Sequence, residues 1–474
     1  MAKKRRQRVD ARVTQPVNRS AGKGGPAEDA LAFGRAKLKC SVAIVVVGLV
    51  VSLLFHLWQS KVNGLGYPWN SFLYPSSNSF RKDLQFSDYW DCLQLSASWD
   101  PFVKKGSYFP FFYIVFYPLT LIPPAISLVI FFSGTLLACW WLLSRWLRPV
   151  CGGSWTSWGA AGALLFGSYP VLMAIDRGNV EVGMFLIVAL LAWGYQRKRY
   201  RAAAAATVLG ASFKLTPLVF LSLFLRRRLW HWTVLSGLGF GLLTLGSLLL
   251  FKSSIQESWT MWRSNSAEFT RGYLIYTMGM SWSATLWNPI RAVILFLSAH
   301  GGGSEGVIVA RLGFALGIYS KAVLLLTPLV AAFVSFVETN LWRRLAILIL
   351  FMTVTPPPGA DYKMIHVILA LVGLITLRRR LRFDWGVVVL LSLVLVPKKY
   401  WFFPGIVTDS LSQDVSVGIF LNPLLMVIAL GLLCADSWMK STARGRRARF
   451  LLLVRGCQRL FLRVRETRLK ATNP

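Results

Sequence analysis

Long apolar segments separated by short charged clusters dominate this chain. No Asp, Glu, Lys or Arg occurs at 106–144, 149–175, 229–251 or 415–435. A helix needs about 20 residues to cross the roughly 30 Å of membrane hydrocarbon, and each of these runs is long enough. The pattern therefore predicts an all-α, polytopic integral membrane protein.

Apolar runs of this kind predict about ten membrane crossings. In chain order they lie near 40–58, 124–144, 156–175, 179–195, 230–251, 321–337, 345–357, 364–377, 383–396 and 415–435. The longest charge-free run is broken at Pro123-Pro124, so we expect an interfacial helix near 109–121 before its crossing.

The segment 201–225 requires a different interpretation. Lys214 and Pro217 interrupt its apolar pattern, and basic clusters lie on both sides of it. A single crossing would place one cluster outside, whereas a hairpin of two short helices returns both clusters to the same side. Broken helices are tolerated at membrane depth where they line a protein cavity. We therefore predict a broken-helix hairpin with Lys214 near its tip.

Charge follows the predicted topology. Eleven Lys or Arg fall within 1–39 and another eleven after residue 435, out of 53 in the chain. The acidic residues show the opposite bias, because 12 of 19 fall in the loops 59–108, 176–181, 252–305, 358–363 and 397–414. The positive-inside rule then places both termini in the cytoplasm and these loops outside.

This distribution also defines the predicted domains. Residues 1–39 form a basic, disordered cytoplasmic arm. Residues 40–435 form the transmembrane domain, with large outer loops at 59–108 and 252–305. Residues 436–474 form a basic, amphipathic cytoplasmic tail, and both tails can contact anionic lipids. The net charge of +34 does not indicate nucleic-acid binding, because no basic fold with interleaved aromatic residues is present.

The stretch from Asp176 to Glu181 is the first candidate for chemistry. It places ionisable groups between two long apolar segments, where desolvation is costly, so a functional site is the default hypothesis and an interfacial cap is the alternative. Arg177, Lys214 and Lys363 are the cations best placed to bind an anionic ligand. Each of them alone is also compatible with a snorkelling or interfacial residue.

An acidic pair in the first outer loop is the second candidate. Asp88 and Asp91, flanked by aromatic residues, could supply a general base whose pKa is raised by partial burial. A solvated loop acid is the alternative. The D-x-x-D spacing does not favour a metal-bound sugar nucleotide or sugar phosphate.

A third candidate follows the rigid outer turn that begins at Pro356. Tyr362, Lys363 and His366 follow it, and His366 lies one helical turn after Tyr362, so the two side chains can share a face. The alternative for His366 is a hydrogen-bonded packing residue. The six cysteines show no paired spacing, and neither a disulfide framework nor a metal site is predicted.

Over about residues 40–435 the chain resembles the GT-C superfamily of membrane glycosyltransferases, and within it glycosyltransferase family 87, the polyprenyl-phosphate-dependent mannosyl- and arabinofuranosyltransferase-like proteins. The matching segments are Asp88-Tyr89, Tyr108-Phe109-Pro110, Tyr117-Pro118-Leu119, Arg177-Gly178-Asn179-Val180, Lys214-Leu215-Thr216-Pro217 and Arg226-Arg227-Arg228. Weaker matches are Asn288-Pro289, Pro358 to Lys363, Pro397-Lys398-Lys399 and Asn422-Pro423. Asn179 stands where the family often has Gln, and Glu181 where an amide often lies.

This resemblance implies an enzyme that moves a hexose or pentose from a polyprenyl-phosphate carrier to an acceptor hydroxyl of a glycan or glycolipid. It implies inversion at the sugar, no metal ion and no cofactor, and a site on the outer face of the plasma membrane. The implied general base is Asp88, with Asp91 as the alternative. The donor phosphate would meet Arg177, Lys214 and Lys363, and the remaining substrate contacts would come from Asn179, Glu181, Tyr362 and His366.

A transporter or flippase for an anionic lipid-linked saccharide is the alternative function. It would use the same cations without chemistry. An enzyme requires an acid beside the amphipathic segment 109–121, and Asp88 satisfies that requirement. A transporter would more naturally place ionisable residues in the middle of several helices, and few are found there.

Overall fold

The computed structural model of the chain is helical, apart from one short antiparallel pair of strands. It describes residues 26–62, 86–225, 229–275, 283–300, 304–377, 382–398, 402–403 and 415–440. The all-helical prediction is thus confirmed. The basic cluster Arg226-Arg227-Arg228 and most of both tails, at 1–25 and 441–474, lie outside the described residues.

Seventeen α-helices occur in the described part of the chain. They are α1 Pro26–Val62, α2 Ser87–Ala97, α3 Pro110–Phe116, α4 Pro124–Cys151, α5 Ser154–Phe166, α6 Tyr169–Arg177, α7 Glu181–Gln196, α8 Tyr200–Ala211, α9 Ser222–Leu225, α10 Trp230–Leu248, α11 Ile255–Thr270, α12 Trp287–His300, α13 Glu305–Phe336, α14 Leu341–Val354, α15 Ile365–Ile375, α16 Asp384–Val394 and α17 Gly418–Lys440. Shorter turns are the 3-10 helices Tyr117–Leu121, Thr216–Leu221 and Asp361–Met364 and the π-helix Arg271–Ile275. The strands β1 Phe402–Phe403 and β2 Val415–Ser416 pair with Phe402 opposite Ser416.

Among the described residues, four helices are long and apolar enough to cross a membrane. They are the Glu28–Phe55 part of α1, and α4, α13 and α17. Helices α5 and α6 would make a fifth span if they are taken as one helix bent by 62°. Several other predicted crossings coincide with shorter apolar helices, so the total of ten crossings and the cytoplasmic termini stay predictions.

The boundary of the basic N-terminal arm needs correction. Helix α1 begins at Pro26, so residues 26–39 are helical and not disordered. Glu28 and Asp29 lie in its first turn, where negative charge interacts favourably with the helix dipole. Lys37 is fully buried and pairs with Asp384 of α16 at 2.9 Å. Asp384 thus neutralises the charge of Lys37, which the sequence pattern predicts to be exposed to solvent.

Two predicted crossings also differ in shape. The predicted span 156–175 is broken after Phe166, because Gly167 ends α5 and Pro170 in the first turn of α6 starts a new helix direction. Helix α13 begins at Glu305, well before the predicted start at residue 321. Arg311 and Lys321, two basic residues within apolar stretches of the sequence, are thus part of one continuous helix.

The breaks predicted from proline are confirmed. Helix α3 and the 3-10 helix Tyr117–Leu121 form the segment predicted near 109–121, and α4 begins at Pro124. The chain also breaks after α8, and Lys214 lies in that break. Gly210 lies against the ring of Pro217, with 3.3 Å from its ideal Cβ position to that ring. Both legs of the predicted hairpin are therefore closely packed at its tip.

Helices α14 and α15 form the centre of the bundle. All eleven residues of α15 are buried, and α14 is buried over almost its whole length. A helix that is apolar on every side belongs in such an interior position. His366, in the first turn of α15, is only 2% exposed. The central helix therefore delivers this polar side chain to the interior at one end of the bundle.

The predicted orientation can be tested with single cysteines in a cysteine-free background. Substitutions at Lys104 and Gln256, both exposed, should react with a membrane-impermeant maleimide added from outside. A cysteine at Lys198, exposed in the predicted cytoplasmic turn after α7, should react only after the membrane is permeabilised. Labelling of the position 198 variant from outside would invert the predicted topology.

Candidate active site

A glycine with a left-handed backbone allows α2 to dock against the end of α6. Gly178 has φ +65°, and a Cβ at this position would lie 2.7 Å from the Cα of Phe86 and 2.9 Å from the Cβ of Tyr89. The backbone N–H of Phe86 donates to the carbonyl oxygen of Asp176 at 2.9 Å. Asp88 in the first turn of α2 is therefore held directly above the turn that follows α6.

Asp88 contacts two of the predicted site residues. Its Oδ1 accepts from Nη2 of Arg177 at 2.9 Å, and its Oδ2 accepts from Nδ2 of Asn179 at 2.6 Å. The Oδ1 of Asn179 accepts from the backbone N–H of Glu181 at 2.9 Å. Because a backbone N–H can only donate, this contact fixes the amide orientation and directs Nδ2 towards Asp88. The Asp88 side chain remains 22% exposed, so a substrate can reach it.

Glu181 connects this pair to two further elements. Its Oε2 accepts a short hydrogen bond from Nζ of Lys214, and its Oε1 lies 2.9 Å from Nε2 of His366. Glu181 is buried, whereas the Lys214 side chain is 19% exposed. Glu181 thus orients a cation that still reaches the open side of the site. Buried carboxylates of this kind require charged or hydrogen-bonded partners.

Two tyrosine rings lie beside the ammonium group of Lys214. Its Nζ lies 5.5 Å from the ring centroid of Tyr108 and 6.0 Å from that of Tyr362, which is cation–π distance. Burial raises the pKa of both tyrosine hydroxyls well above the ordinary value. Both therefore stay protonated near neutral pH, and neither is suited to act as the general base.

Lys363 lies close to the site but contacts its own turn. Its Nζ donates to the carbonyl oxygen of Pro358 at 2.6 Å. Burial lowers its pKa to about 8, the positive charge of Lys214 acts in the same direction, and Glu181 opposes them. Gly359 makes this turn possible, because a Cβ there would lie 2.5 Å from Cγ2 of Thr285.

Asp91 lies one helical turn after Asp88 on α2, as the spacing predicts. Its side chain is exposed, and it has no hydrogen bond to Arg177 or Asn179 of the kind that holds Asp88. Partial loss of water around it and the charge of Asp88 both raise its pKa, while Arg177 acts in the opposite direction. The carboxylate of Asp88 is therefore held in a fixed orientation by two side chains, whereas that of Asp91 is not held by either of them.

A second group of polar residues lies near this network, and the sequence pattern assigns none of them to the site. Asp361 is 2% exposed and accepts from the hydroxyl of Tyr169 at 2.9 Å. Burial raises the pKa of the Tyr273 hydroxyl. The charges of Asp361 and Asp88 also raise this pKa, whereas those of Arg291 and Arg177 lower it.

Arg291 and Lys398 are the buried cations of this group. Arg291 is fully buried and donates to the carbonyl oxygen of Tyr273 at 2.8 Å. Lys398 is 8% exposed and donates to the carbonyl oxygen of Val396 at 2.8 Å. Burial lowers the pKa of Lys398 to about 7, and the charge of Asp361 opposes this shift. The positions of Arg291 and Lys398 beside Asn288-Pro289 and Pro397 are the sequence signals that could have identified them.

Gly178→Ala tests the docking of α2 against α6. We expect lower thermal stability and a loss of activity, because the left-handed backbone alone costs about 1–3 kcal/mol for a residue with a Cβ, and the new methyl group would overlap Phe86. Thermal unfolding in detergent and an activity assay are the measurements. Gly159→Ala is the matched control, since its Cβ meets open space. Equal stability in both variants would contradict the argument.

Comparison with known proteins places the chain in a family. The model of glycosyltransferase family 87 matches residues 107–357. Neither the curated proteins nor the solved structures gave a match. The matched region contains Arg177, Asn179, Glu181 and Lys214, whereas Asp88 and His366 lie outside it. Because this region is more than half of the 474 residues, the chain belongs to glycosyltransferase family 87.

Proposed function

We propose that this glycosyltransferase transfers a hexose or pentose from a polyprenyl-phosphate carrier to an acceptor hydroxyl, with inversion and without a metal ion. The acceptor is a glycan or glycolipid, and the site faces the outer side of the plasma membrane. One observation carries the proposal: the accessible carboxylate of Asp88 lies at one end of a hydrogen-bonded network, and the accessible cation Lys214 lies at the other end.

The chemistry requires these two groups on opposite sides of the sugar. The bond between the anomeric carbon and the phosphate oxygen breaks, and its electron pair stays on the phosphate. The acceptor oxygen forms the new bond from the opposite face and inverts the anomeric centre. Asp88 takes the proton of the acceptor hydroxyl. Asn179 and Glu181 lie between Asp88 and Lys214 in the network, so the base and the cation that meets the phosphate are held apart.

Fixed cations perform the role of stabilising the departing phosphate. Negative charge develops on that group, and preorganised positive charge stabilises it strongly in a site with little water. Lys214 is held in place by Glu181, and Arg177 is held by Asp88. Lys363 adds positive potential next to Lys214.

Exposed apolar residues near the site support a lipid-linked donor. Leu121, Val129 and Ile130 are 70%, 61% and 54% exposed along the start of α4 and the turn before it. This end of α4 is tied to the site, because the hydroxyl of Tyr89 donates to Oγ of Ser127 at 2.8 Å. A polyprenyl chain could lie along this surface with its phosphate at the cations.

Transfer by the purified protein is the direct test. The protein in nanodiscs should transfer a labelled sugar from a polyprenyl phosphate to an acceptor, at an undiminished rate with a chelator present. Mass spectrometry of lipids and glycans from membranes with and without the protein would identify the sugar and acceptor. Movement of the lipid-linked saccharide across the bilayer without transfer would instead establish the transporter function.

A further inference from the structure

A cavity at the far end of α4 has the composition of an anion site. It lies between the end of α4 and the start of α5, has a volume of about 180 Å³, and is lined by two arginines, two tryptophans and three serines. The described residues that line it include no carboxylate, and residues 101–175 contain no Asp or Glu at all. The positive charge of Arg145 and Arg148 is therefore not neutralised by a neighbour in this part of the sequence.

The position of the cavity along α4 separates it from the candidate active site. Ser127, in the first turn of α4, is bonded to Tyr89 beside that site. Arg145 follows 18 residues later, which is roughly 27 Å along a helix that rises about 1.5 Å per residue. The hydrocarbon layer is about 30 Å thick. The cavity therefore lies close to the opposite membrane interface, at the depth of lipid headgroups.

Aromatic side chains support an interfacial position. Trp141 is 45% exposed, and the guanidinium of Arg145 lies over its ring at 5.1 Å. Trp155, in the first turn of α5, is 90% exposed. Tryptophan is enriched at membrane–water interfaces because its ring is apolar and its N–H is polar. The Trp141 ring thus keeps the guanidinium of Arg145 beside the cavity. The N–H groups of that guanidinium lie in its plane and stay free of the ring, so they can donate to a phosphate.

The serines add selectivity among phosphates. The hydroxyl of Ser144 donates to the carbonyl oxygen of Trp141 at 2.8 Å, and that of Ser157 donates to Ser154 at 2.7 Å. Since these two hydroxyl protons are already used, the oxygens of Ser144 and Ser157 are left as acceptors for a ligand. A headgroup that carries both a phosphate and hydroxyl donors matches this combination of arginines and serines.

We propose that this cavity binds the headgroup of an anionic, hydroxyl-bearing phospholipid such as phosphatidylglycerol, in the leaflet opposite the candidate active site. The positive-inside rule assigns that leaflet to the cytoplasmic side, which carries anionic lipids. The inference does not depend on the proposed sugar transfer, because it involves a different end of the bundle and different residues.

Lipid titration followed by native mass spectrometry tests the inference on the full-length, delipidated protein. The wild type should bind phosphatidylglycerol in preference to phosphatidylcholine. The variant R145Q/R148Q should lose this preference on the order of tenfold, because two cations that contact a headgroup are removed. The matched control is R197Q/R199Q, which removes two exposed arginines, one of them also stacked on a tryptophan at 5.1 Å. The control should bind like the wild type.

Two results would overturn the assignment. An equal loss of the preference for phosphatidylglycerol in R145Q/R148Q and R197Q/R199Q would mean that its binding depends only on the overall positive charge. Displacement of phosphatidylglycerol from the wild type by inorganic phosphate at the same concentration would make the cavity a site for free phosphate and not for a lipid. Retained thermal stability of R145Q/R148Q would confirm that lost binding is not lost folding, since both arginines are exposed.

Discussion

Asp88→Asn should lower the turnover of sugar transfer by roughly 100-fold or more. The amide has nearly the same shape as the carboxylate but cannot accept the proton of the acceptor hydroxyl. It also cannot accept from both Arg177 and Asn179 as the carboxylate does. Donor binding should persist, because the cations remain. The measurements are turnover with a lipid-linked sugar and donor binding to the same purified protein.

Asp91→Asn is the matched control for this experiment. It removes a carboxylate from the same helix, one turn away, and its side chain is exposed. We expect turnover close to that of the wild type. A large loss at Asp91 with little change at Asp88 would move the base by one helical turn. Wild-type turnover in both variants would contradict the proposed mechanism altogether.

The sequence predicts much of the candidate site because ionisable residues are scarce within its long apolar segments. Arg177, Glu181 and Lys214 each lie at an end or a break of an apolar segment, where a charged side chain is costly without a partner. Asp88 lies between aromatic residues in the first outer loop. The structure brings all four into one network together with Asn179. Their catalytic and binding roles remain predictions that the substitutions test.

The burial of some charged residues could not be predicted, because the groups that they contact are distant in the sequence. Lys37 looks like part of a basic arm because Arg35 and Lys39 flank it, yet it is buried in the bundle and pairs with Asp384. Arg291 looks like an interfacial residue of a loop, yet it is fully buried against the backbone of Tyr273. Periodicity and composition describe each segment separately, and only the tertiary packing shows which buried charges face one another.

Glu181 has a different place in the network from Asp88, because its carboxylate is buried against Lys214 and His366. A Gln in its place would lose the charge that balances Lys214, whereas the accessible carboxylate of Asp88 would be unchanged. Since Glu181 is buried and fixes both Lys214 and His366, we infer that it positions the cation and does not contact the acceptor.

Arg177→Ala should abolish measurable donor binding, and Arg177→Lys should restore only part of it. The planar guanidinium can hold Asp88 and a phosphate oxygen at the same time, whereas an ammonium is a compact charge without that two-point geometry. Loss of a hydrogen bond between charged groups costs about 1.5–3 kcal/mol, so a rise of roughly 10- to 100-fold in the donor KM is expected for Lys. Steady-state kinetics with varied donor separate this effect from a change in kcat.

Lys105→Ala is the control for Arg177, because it removes a cation from an ion pair that is exposed on both sides. Lys105 and Glu268 are 73% and 62% exposed at 2.8 Å, and such surface pairs contribute only about 0–1 kcal/mol. The Lys105 variant should therefore keep the wild-type donor KM. Arg177 also holds Asp88, so a fall in kcat alone with an unchanged donor KM would assign Arg177 to positioning of the base. Full activity in both Arg177 variants would reduce this arginine to an interfacial anchor, and the donor phosphate would then depend on Lys214 and Lys363.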